Sequence, residues 1–307
     1  MATFFGQTFR DHNHPWWVHE ANDQMHGTDA SDIFLAGGGN DTIYAGGGAD
    51  DVNGGSGDDT FYAQAYGSSI TGAWGNDAVH AGDGDDRIYY GQTTSNVALF
   101  GDNGDDVIVS GSGNDKIYGG AGNDWILGGN GNDTIYGDGT AGAGNDIIYG
   151  WNGNDYIFGG DGNDEIWGGR DVDYLTGGGG ADTFKFNAGD SGLHWADADV
   201  IYDFKPSFDR GFQNDTIDIV GTEKGTSSNF GHINGPLNTS NDADYVAVYE
   251  HALNFADSAM QFHTNLKYEF VTDGYNGFLF VDTNGDHHPD MGIELRGVTD
   301  MHYWNVV

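Results

Sequence analysis

Residues 110–136 read SGSGNDKIY, GGAGNDWIL and GGNGNDTIY, three consecutive units of nine residues that share one pattern. Residues 36–62 repeat the pattern as AGGGNDTIY, AGGGADDVN and GGSGDDTFY. The common form is G-G-x-G-x-D-x-U-x, in which U is a large apolar residue. A fixed short period of this kind indicates a solenoid, in which each repeat adds one structural unit to a stack.

The nine positions divide into a turn and a short strand. Six glycine-rich residues adopt positive φ and turn sharply, so that backbone carbonyls point inward at an ion. The aspartate at the sixth position adds a carboxylate, and the middle residue of the three-residue strand points into the core. Two units therefore make one coil, and each ion is shared by the turns of neighbouring coils. The predicted fold is all-β: a right-handed parallel β-roll stapled by calcium, followed by a smaller β-rich C-terminal domain with about one helix.

Extending this pattern along the chain assigns the calcium ligands and the core. The predicted sixth-position ligands are Asp32, Asp41, Asp50, Asp59, Asp77, Asp86, Asp106, Asp115, Asp124, Asp133, Asp146, Asp155, Asp164, Asp173 and Asp182. The predicted inward residues, two positions later, are all apolar: Phe34, Ile43, Val52, Phe61, Val79, Ile88, Ile108, Ile117, Ile126, Ile135, Ile148, Ile157, Ile166, Leu175 and Phe184.

Two half-turns, residues 63–71 and 90–98, have lost the motif. The pattern places Ser68 and Ser95 where the aspartate belongs, while Ile70 and Val97 keep the core. Calcium is expected to be absent or weak beside them. Extra residues near Leu99 and Phe100, and at 138–141, are expected to lengthen turns without shifting the strands.

The charge balance makes a cation necessary. Ten Lys and Arg face 48 Asp and Glu, and the formal net charge of -38 disfavours nucleic acid and anionic membranes as partners. Cysteine is absent, so the ligands are expected to be oxygen atoms, which suit Ca²⁺. Pairing aspartates two repeats apart gives about ten calcium ions, which cancel roughly twenty charges. Without calcium, we expect the chain to be unfolded.

These repeats resemble those of the RTX family, whose members leave Gram-negative bacteria unfolded through a type I secretion channel and fold outside in calcium. The resemblance implies a secreted protein, extracellular or at the cell surface, with an uncleaved C-terminal secretion signal. The first six residues and the rest of the sequence agree, since they show neither the pattern of a cleaved signal peptide nor an apolar run that spans a membrane.

The end of the roll also resembles a known segment. Residues 181–186 (ADTFKF), 199–204 (DVIYDF) and 214–219 (NDTIDI) are similar to the segment that closes the roll in serralysin-type RTX proteins. The predicted domains are an N-terminal cap at 1–26, the roll at 27–185, and a β-rich C-terminal domain with the secretion signal at 186–307.

No catalytic motif stands out, so we expect no enzymatic activity. The nearest match to the zinc-binding H-E-x-x-H is residues 19–23 (HEAND), which ends in aspartate. Only 26 residues precede the repeats, too few for a catalytic domain. Residues 189–192 (GDSG) superficially resemble a serine-protease nucleophile loop, but Leu193 follows them, and no G-x-S-x-G occurs.

The N-terminal segment at residues 11–20 (DHNHPWWVHE) is open to three interpretations. The favoured one is a cap in which Trp16 and Trp17 cover the open apolar end of the first coil. The alternatives are transition-metal binding by its three histidines and sugar stacking by its tryptophans.

The C-terminal domain carries a second candidate ion site. Residues 282–290 (DTNGDHHPD) follow a predicted strand at 278–281 and space oxygen ligands like a D-x-N-x-D calcium loop. Its predicted ligands are Asp282, Asn284, Asp286 and Asp290. A plain acidic hairpin turn is the alternative, because His287 stands where such loops favour glycine. One helix is predicted within residues 252–266, and strands at 245–249 and 293–295.

The two outer faces of the predicted roll differ. One presents aromatic side chains and is a candidate polysaccharide-binding surface: Tyr44, Tyr62, Tyr118, Tyr136 and Phe158. The other is too apolar for a soluble monomer and is predicted to dock the C-terminal domain, a second subunit, or a cell-surface or matrix partner: Val107, Val109, Trp125, Leu127, Ile147, Tyr149 and Trp167. The leading functional prediction is therefore a structural, adhesive or self-assembling extracellular protein. A polysaccharide-binding or polysaccharide-modifying protein, of the lyase or epimerase type, is the alternative.

Overall fold

The fold is mostly β and divides into two compact units, Met1–Gly150 and Trp151–Val307. The computed structural model describes residues 3–5, 24–27, 33–35, 40, 42–46, 51–53, 60–63, 69–71, 76–90, 94, 96–139, 142–206, 215–220, 222, 230–233, 245–263, 265–273, 275–301 and 306. Several predictions therefore lie outside the described residues: the ligands Asp32, Asp41, Asp50 and Asp59, the missing ligand at Ser68, and the cap with Trp16 and Trp17.

In the first unit, short parallel strands alternate along the chain between two sheets, as expected for a solenoid. One sheet has the order β1-β2-β4-β6-β8-β10-β12-β14 and the other β3-β5-β7-β9-β11-β13. The strands are β1 (Thr3–Phe5), β2 (Gln24–His26), β3 (Ile33–Leu35), β4 (Thr42–Gly46), β5 (Asp51–Asn53), β6 (Thr60–Ala63), β7 (Ser69–Thr71), β8 (Ala78–His80), β9 (Arg87–Tyr89), β10 (Ala98–Asn103), β11 (Val107–Val109), β12 (Lys116–Ala121), β13 (Trp125–Asn130) and β14 (Thr134–Asp138).

The pairing of strands confirms that two nine-residue units make one coil. Ile43 pairs with Phe61, and Ile117 with Ile135, so partners lie 18 positions apart. This register places each inward residue directly over its equivalent in the next coil. All the predicted inward residues from Phe34 to Phe184 are buried, and they form the core of the roll.

The register around residue 97 differs from the prediction. The inward residue of β10 is Leu99, which pairs with Val79 on one side and Ile117 on the other. The extra residues therefore lie before this strand and not within or after it. The prediction for this half-turn is therefore wrong by two positions. Leu99, not Val97, is the inward residue of the strand, and Val97, not Ser95, stands in place of the aspartate. Val97 is also buried. Because positions 97 and 99 are both apolar, the sequence pattern alone did not show which of them is the inward residue of the strand.

The second unit also begins with parallel strands, and antiparallel strands follow them. Its sheets have the orders β16-β18-β20-β25-β24-β23-β22 and β17-β19-β21. Its strands are β16 (Tyr156–Asp161), β17 (Glu165–Arg170), β18 (Tyr174–Gly179), β19 (Thr183–Phe186), β20 (Asp199–Ile201), β21 (Thr216–Ile219), β22 (Phe230–Ile233), β23 (Tyr268–Thr272), β24 (Gly277–Val281) and β25 (Met291–Leu295). The division between the units falls within β15 (Ile147–Asn152).

One α-helix, α1 (Tyr245–Phe262), occurs among the described residues. The predicted helix is confirmed, but the predicted strand at 245–249 is wrong, because those residues form the first turns of α1. The cause is visible in the packing: the buried face of α1 includes Val248 and Tyr249 and continues at helical spacing through Ala252, Ala256 and Met260. Within the described residues, no helix has both the length and the apolar character needed to cross a membrane.

Candidate calcium-binding site

Every sixth-position aspartate that the structure describes is buried, with at most 2% of its surface exposed. Each lies at the end of a turn, directly before a strand whose middle side chain is in the core, so the backbone carries its carboxylate inside the roll. A row of buried carboxylates is costly unless its oxygens find donors or a cation. The described members of the row are Asp77, Asp86, Asp106, Asp115, Asp124, Asp133, Asp146, Asp155, Asp164, Asp173 and Asp182.

One oxygen of these carboxylates accepts a hydrogen bond from the backbone of the preceding coil. The N–H of Asp106 donates to Oδ1 of Asp124 at 2.8 Å. In the second unit, the N–H of Asp155 donates to Oδ1 of Asp173 at 2.9 Å. The carboxylate row is therefore part of the hydrogen-bonded ladder between coils, and the aspartate at this position has a structural role before any ion is considered.

The other oxygen, Oδ2, faces the first glycine of its own turn. A Cβ added at Gly119 would lie 2.3 Å from Oδ2 of Asp124 and 2.4 Å from the carbonyl oxygen of Gly137. A Cβ added at Gly101 would lie equally close to Oδ2 of Asp106 and the carbonyl oxygen of Gly119. Only glycine therefore fits at these two positions, because a carboxylate oxygen of one coil and a carbonyl oxygen of the next lie where a Cβ would be. Oδ2 is buried without a hydrogen-bond partner in Asp106, Asp124, Asp173 and Asp182.

These donors fit Ca²⁺. Carboxylate and main-chain carbonyl oxygens are the ligands that this hard cation takes. Among the residues that the structure describes, no three His, Asp or Glu side chains gather around one point. A cation held in the coils therefore takes part of its ligands from the main chain, which is the arrangement expected from the glycine-rich turns. A bound Ca²⁺ would supply the positive charge that the buried Oδ2 atoms lack.

Burial raises the pKa of the carboxyl groups in the row. The pKa of Asp106 and of Asp133 rises to about 7 and that of Asp124 to about 8, although backbone hydrogen bonds to each carboxylate act in the opposite direction. In the absence of a cation, such groups hold protons near neutral pH. A divalent cation in the row would displace these protons, so calcium and protons compete for the same oxygens.

The repeat model for the RTX calcium-binding nonapeptide matches the chain at residues 26–61, 54–92, 100–135, 139–166 and 158–193. Together these ranges cover just over half of the 307 residues. The chain belongs to the RTX family. The matches span the buried aspartate row, so the family's calcium-binding repeats are the coils described above.

Two solved structures similar to this RTX protein are subunits of the mannuronan C5-epimerase of Azotobacter vinelandii. The AlgE6R3 subunit is 22% identical, over 62% of this chain and 80% of that chain, with a TM-score of 0.23. The AlgE6R2 subunit is 22% identical, over 60% of this chain and 90% of that chain, with a TM-score of 0.28. At these scores, the likeness carries no argument about function. No curated protein matches the chain.

A second ladder, which sequence analysis missed, runs along the outside of the RTX turns. The N–H of Asn132 donates to Oδ1 of Asn114 at 2.9 Å, and the N–H of Asn123 donates to Oδ1 of Asp105 at 2.7 Å. Here the later coil donates to the earlier one, whereas in the buried row the earlier coil donates to the later. Neighbouring coils are thus tied in both directions. The sequence signal for this ladder is the fifth position of the motif. The general pattern allows any residue there, but these units have Asn or Asp.

The buried row is interrupted at Val97. The N–H of Val97 donates to Oδ1 of Asp115 at 2.9 Å, the contact that an aspartate N–H makes elsewhere. Val97 therefore occupies the sixth position, so the interruption predicted at Ser95 falls two residues later. The next coil is modified as well, because Ser110 stands where most units have their first glycine and its hydroxyl donates to Oδ2 of Asp115. The serine thus supplies Oδ2 of Asp115 with a hydrogen-bond donor that Oδ2 of Asp106 and of Asp124 lacks.

Two aspartates beyond the nonapeptides, also missed by sequence analysis, extend the ladder. The N–H of Asp173 donates to Oδ1 of Asp199 at 2.8 Å, and the N–H of Asp182 donates to Oδ1 of Asp215 at 3.1 Å. Both Asp199 and Asp215 are fully buried. A signal existed for Asp215, because residues 214–217 (NDTI) repeat residues 132–135.

The loop at residues 282–290 is closed by its own hydrogen bonds. Oδ1 of Asp282 accepts the N–H of Gly285 at 2.6 Å, and Oδ2 of Asp282 accepts the N–H of His287 at 3.0 Å. Asp290 accepts hydrogen bonds from Thr283 and from both the backbone and the side chain of Asn284. His287 has a φ of 69°, the conformation for which calcium loops use glycine at this place. Calcium binding by Asp282, Asn284, Asp286 and Asp290 stays a prediction.

Proposed function

We propose that this RTX protein is a non-enzymatic extracellular scaffold that folds when it meets calcium after type I secretion, and that it attaches or assembles through its outer faces. The observation that carries the calcium step is the set of buried Oδ2 atoms that have no hydrogen-bond partner. About ten ions, one between each pair of adequately equipped turns in neighbouring coils, would neutralise roughly half of the formal charge. Before export, with calcium scarce, the same carboxylates would keep the chain unfolded.

The calcium step is tested by removing one buried charge. Asp124→Asn keeps an oxygen that can accept the N–H of Asp106 but loses the charge on Oδ2, so the variant is expected to bind fewer calcium ions in native mass spectrometry. Asp105→Asn is the matched control, because Asp105 is exposed and an asparagine makes the same contact in the next coil. There, Oδ1 of Asn123 accepts the N–H of Asn145. An unchanged ion count in Asp124→Asn would contradict the proposal.

Self-association is proposed for the apolar outer face of the first unit. Val107 lies beside Trp125 and Val109 beside Leu127 in neighbouring strands, and the rings of Trp125 and Tyr149 are 5.7 Å apart. These side chains are partly exposed, and Ile147 is 37% exposed. Exposed apolar surface of this kind favours contact with a second copy. Trp167 lies in the second unit, with the Lys185 ammonium 4.5 Å from its ring centre.

The mass of the calcium-loaded protein tests this proposal. Wild-type protein is expected to form a species larger than one chain in light scattering, and the double change Trp125→Ser and Leu127→Ser is expected to dissociate it. The control is the same double change at Tyr118 and Tyr136, which face outward from the other sheet. A monomeric wild type, or an unchanged mass in the Trp125 and Leu127 variant, would contradict self-association through this face.

Polysaccharide binding is the second candidate and is supported by a row of outward aromatic rings in the first unit. Ring centres lie 4.3–5.7 Å apart and adjacent planes are within 10° of parallel. The rings cover one another's faces, so sugars would be held mainly through the tyrosine hydroxyls at the edge. The row consists of His26, Tyr44, Tyr62, His80, Phe100, Tyr118 and Tyr136.

Binding and turnover assays with neutral and anionic polysaccharides decide between the two candidates. Retention on a polysaccharide that is lost in Tyr118→Phe with Tyr136→Phe would favour the second candidate, because only the hydroxyls are removed. Turnover of any polysaccharide would contradict the non-enzymatic proposal.

A further inference from the structure

Tyrosine rings stand face to face in pairs on neighbouring coils of the roll. In the first unit, Tyr118 pairs with Tyr136 in adjacent parallel strands, and their ring centres lie 4.8 Å apart with planes 6° from parallel. Tyr44 and Tyr62 form an equivalent pair at 5.1 Å and 10°. Because the two strands of each pair are parallel and in register, like edges of the two phenol rings lie beside each other.

The second unit carries one further pair. Tyr156 of β16 pairs with Tyr174 of β18, and their rings are 4.6 Å apart with planes 15° from parallel. In all three pairs the partners are 18 positions apart, which is one coil of the roll. A covalent bond within any pair would therefore join two successive coils.

These rings are accessible from solvent. Tyr156 is 46% exposed and Tyr62 is 36% exposed, and the other members of the pairs are partly exposed. Exposed side chains change rotamer within nanoseconds. The two rings of a pair are therefore free to leave the parallel stack briefly and to approach each other by their edges.

The chain has no other side chains that join its coils covalently. Cysteine is absent, so a disulfide bond cannot form. A covalent bond between residues one coil apart restricts the unfolded chain in the way that a disulfide does, and it stabilises the folded state for the same reason.

We propose that Tyr118 and Tyr136 are a site of oxidative cross-linking, at which a dityrosine bond joins two successive coils of the roll. Tyr44 with Tyr62 and Tyr156 with Tyr174 are sites of the same kind. The modification goes beyond the proposed scaffold function, because it follows from the arrangement of the rings and not from bound calcium.

The oxidant is hydrogen peroxide, used by a haem peroxidase. Each phenol loses one electron and one proton and becomes a phenoxyl radical. The two radicals join through one Cε atom of each ring, so that one C–C bond forms, and the hydrogen on each joined carbon then moves to the oxygen and restores the phenol. The two electrons and two protons removed break the O–O bond of one peroxide molecule, which becomes two molecules of water.

The row of rings in the first unit also shows how to remove the chemistry without removing the stack. Phe100 stacks on Tyr118 at 4.9 Å with planes 5° from parallel, so a phenylalanine fits the row. It carries no hydroxyl and cannot form a phenoxyl radical. Tyr118→Phe is therefore expected to keep the fold and to lose the cross-link.

Mass spectrometry of the digested protein after oxidation tests the site. Dilute calcium-loaded protein is treated with a haem peroxidase and hydrogen peroxide. Wild type is expected to yield a peptide pair joined at Tyr118 and Tyr136, with the loss of two hydrogen atoms. Tyr118→Phe is expected to lose this product and to keep the one that joins Tyr44 to Tyr62.

Tyr89→Phe is the matched control. Tyr89 is 51% exposed, but its partners in the neighbouring strands are Thr71 and Val109, so no tyrosine lies beside it in the sheet. Its removal is expected to leave the products unchanged. Wild type that gives no product joined at Tyr118 and Tyr136, or that is joined only between separate chains, would overturn the site.

The same oxidation in excess chelator separates this site from the proposed calcium-dependent folding. An unfolded chain no longer holds the two rings together, so the yield of the Tyr118 to Tyr136 product is expected to fall at least about fivefold. An equal yield from a chain whose amides exchange as unfolded would overturn the part played by the stack. An equal yield from a chain whose amides stay protected would support the site and contradict the calcium-dependent folding.

The stabilising effect of the bond is tested on the oxidised proteins in calcium. The urea concentration at the midpoint of unfolding is expected to be higher for oxidised wild type than for oxidised Tyr118→Phe, and the two are compared with their untreated forms to remove the effect of the substitution itself. An equal or smaller gain in wild type would overturn the stabilising effect of the cross-link.

Discussion

The backbone N–H of Asp106 donates to Oδ1 of Asp124 at 2.8 Å, while Oδ2 of Asp124 stays buried and unsatisfied beside Gly119. One carboxylate therefore serves two purposes: one oxygen joins two coils, and the other requires a cation. The backbone contact explains why the residue is an aspartate and not a longer glutamate, because the short side chain reaches the N–H of the adjacent coil. The unsatisfied oxygen is the physical basis for the proposed dependence of the coils on calcium.

Substitution of the first glycine of a turn is expected to weaken both folding and calcium binding. A Cβ at Gly119 would lie 2.3 Å from Oδ2 of Asp124 and 2.4 Å from a backbone carbonyl. Gly119→Ala is therefore expected to lower the free energy of unfolding in calcium by about 2 kcal/mol or more. Gly139→Ala is the control, because the nearest atom to its added Cβ lies at 3.4 Å. Equal destabilisation of the two variants in urea titrations would contradict the close approach of these two oxygens to Gly119.

Ser110→Gly is expected to strengthen calcium binding at Asp115. The serine hydroxyl donates to Oδ2 of Asp115, so its removal frees this oxygen to bind a cation. Native mass spectrometry or calorimetric titration should show a higher affinity or one further ion. A lower ion count would instead make the serine hydroxyl itself a calcium ligand and contradict the account.

The effect of pH on stability is expected to reverse when calcium is added. In the metal-free protein, burial raises the pKa of Asp106 and Asp133 to about 7 and of Asp124 to about 8, from an ordinary value of 3.8. Between about pH 4 and pH 8 the folded state therefore binds more protons than the unfolded state. Its stability falls as pH rises, by about 1.4 kcal/mol per pH unit for each such group.

With calcium bound, acidification protonates the ligands and releases the ion, so stability falls as pH decreases. Far-UV circular dichroism of metal-stripped and calcium-loaded protein at pH 4.5, 6.0 and 7.5 checks both signs, because the metal-free chain is expected to be unfolded at pH 7.5 and to gain folded structure as pH falls. A folded fraction that rises with pH in the metal-free protein would show that the buried row does not behave as described.

A buried hydroxyl in the C-terminal core provides a test independent of calcium. The hydroxyl of Tyr249 is buried without a hydrogen-bond partner, so Tyr249→Phe is expected to be neutral or to stabilise by up to about 1 kcal/mol. In contrast, the hydroxyl of Tyr268 lies 2.7 Å from Oγ1 of Thr222. Tyr268→Phe is therefore expected to destabilise by about 1 kcal/mol. The opposite order in urea titrations would contradict the burial of the Tyr249 hydroxyl in the core that α1 forms with β23 and β24.

The roll was predictable from sequence because its information is local and repeated. Ile117 and Ile126, for example, each stand two residues after the aspartate of their turn, and the same spacing recurs in the other repeats. The prediction was wrong at Val97 and Leu99, where extra residues precede a strand and both alternate positions are apolar. Period-two alternation at Tyr245–Tyr249 imitated a strand, although the buried face that continues to Met260 has helical spacing.

The closing aspartates were missed for a different reason. Asp199 and Asp215 pair with Asp173 and Asp182 across 26 and 33 residues, so no fixed period points to them, although residues 214–217 (NDTI) carry a local signal for Asp215. Their place in the ladder depends on how the intervening loops fold. The hydrogen bond from the Ser191 hydroxyl to the carbonyl oxygen of Gly292, 101 residues away, likewise has no signature in the sequence.

The central claim is that calcium orders the coils, and hydrogen exchange of wild-type protein at pH 7.5 tests it most directly. In calcium chloride, we expect the amides of residues 107–138 and 155–184 to be protected. In excess chelator, we expect the same amides to exchange at the rate of an unfolded chain. Equal protection in both conditions would contradict the claim.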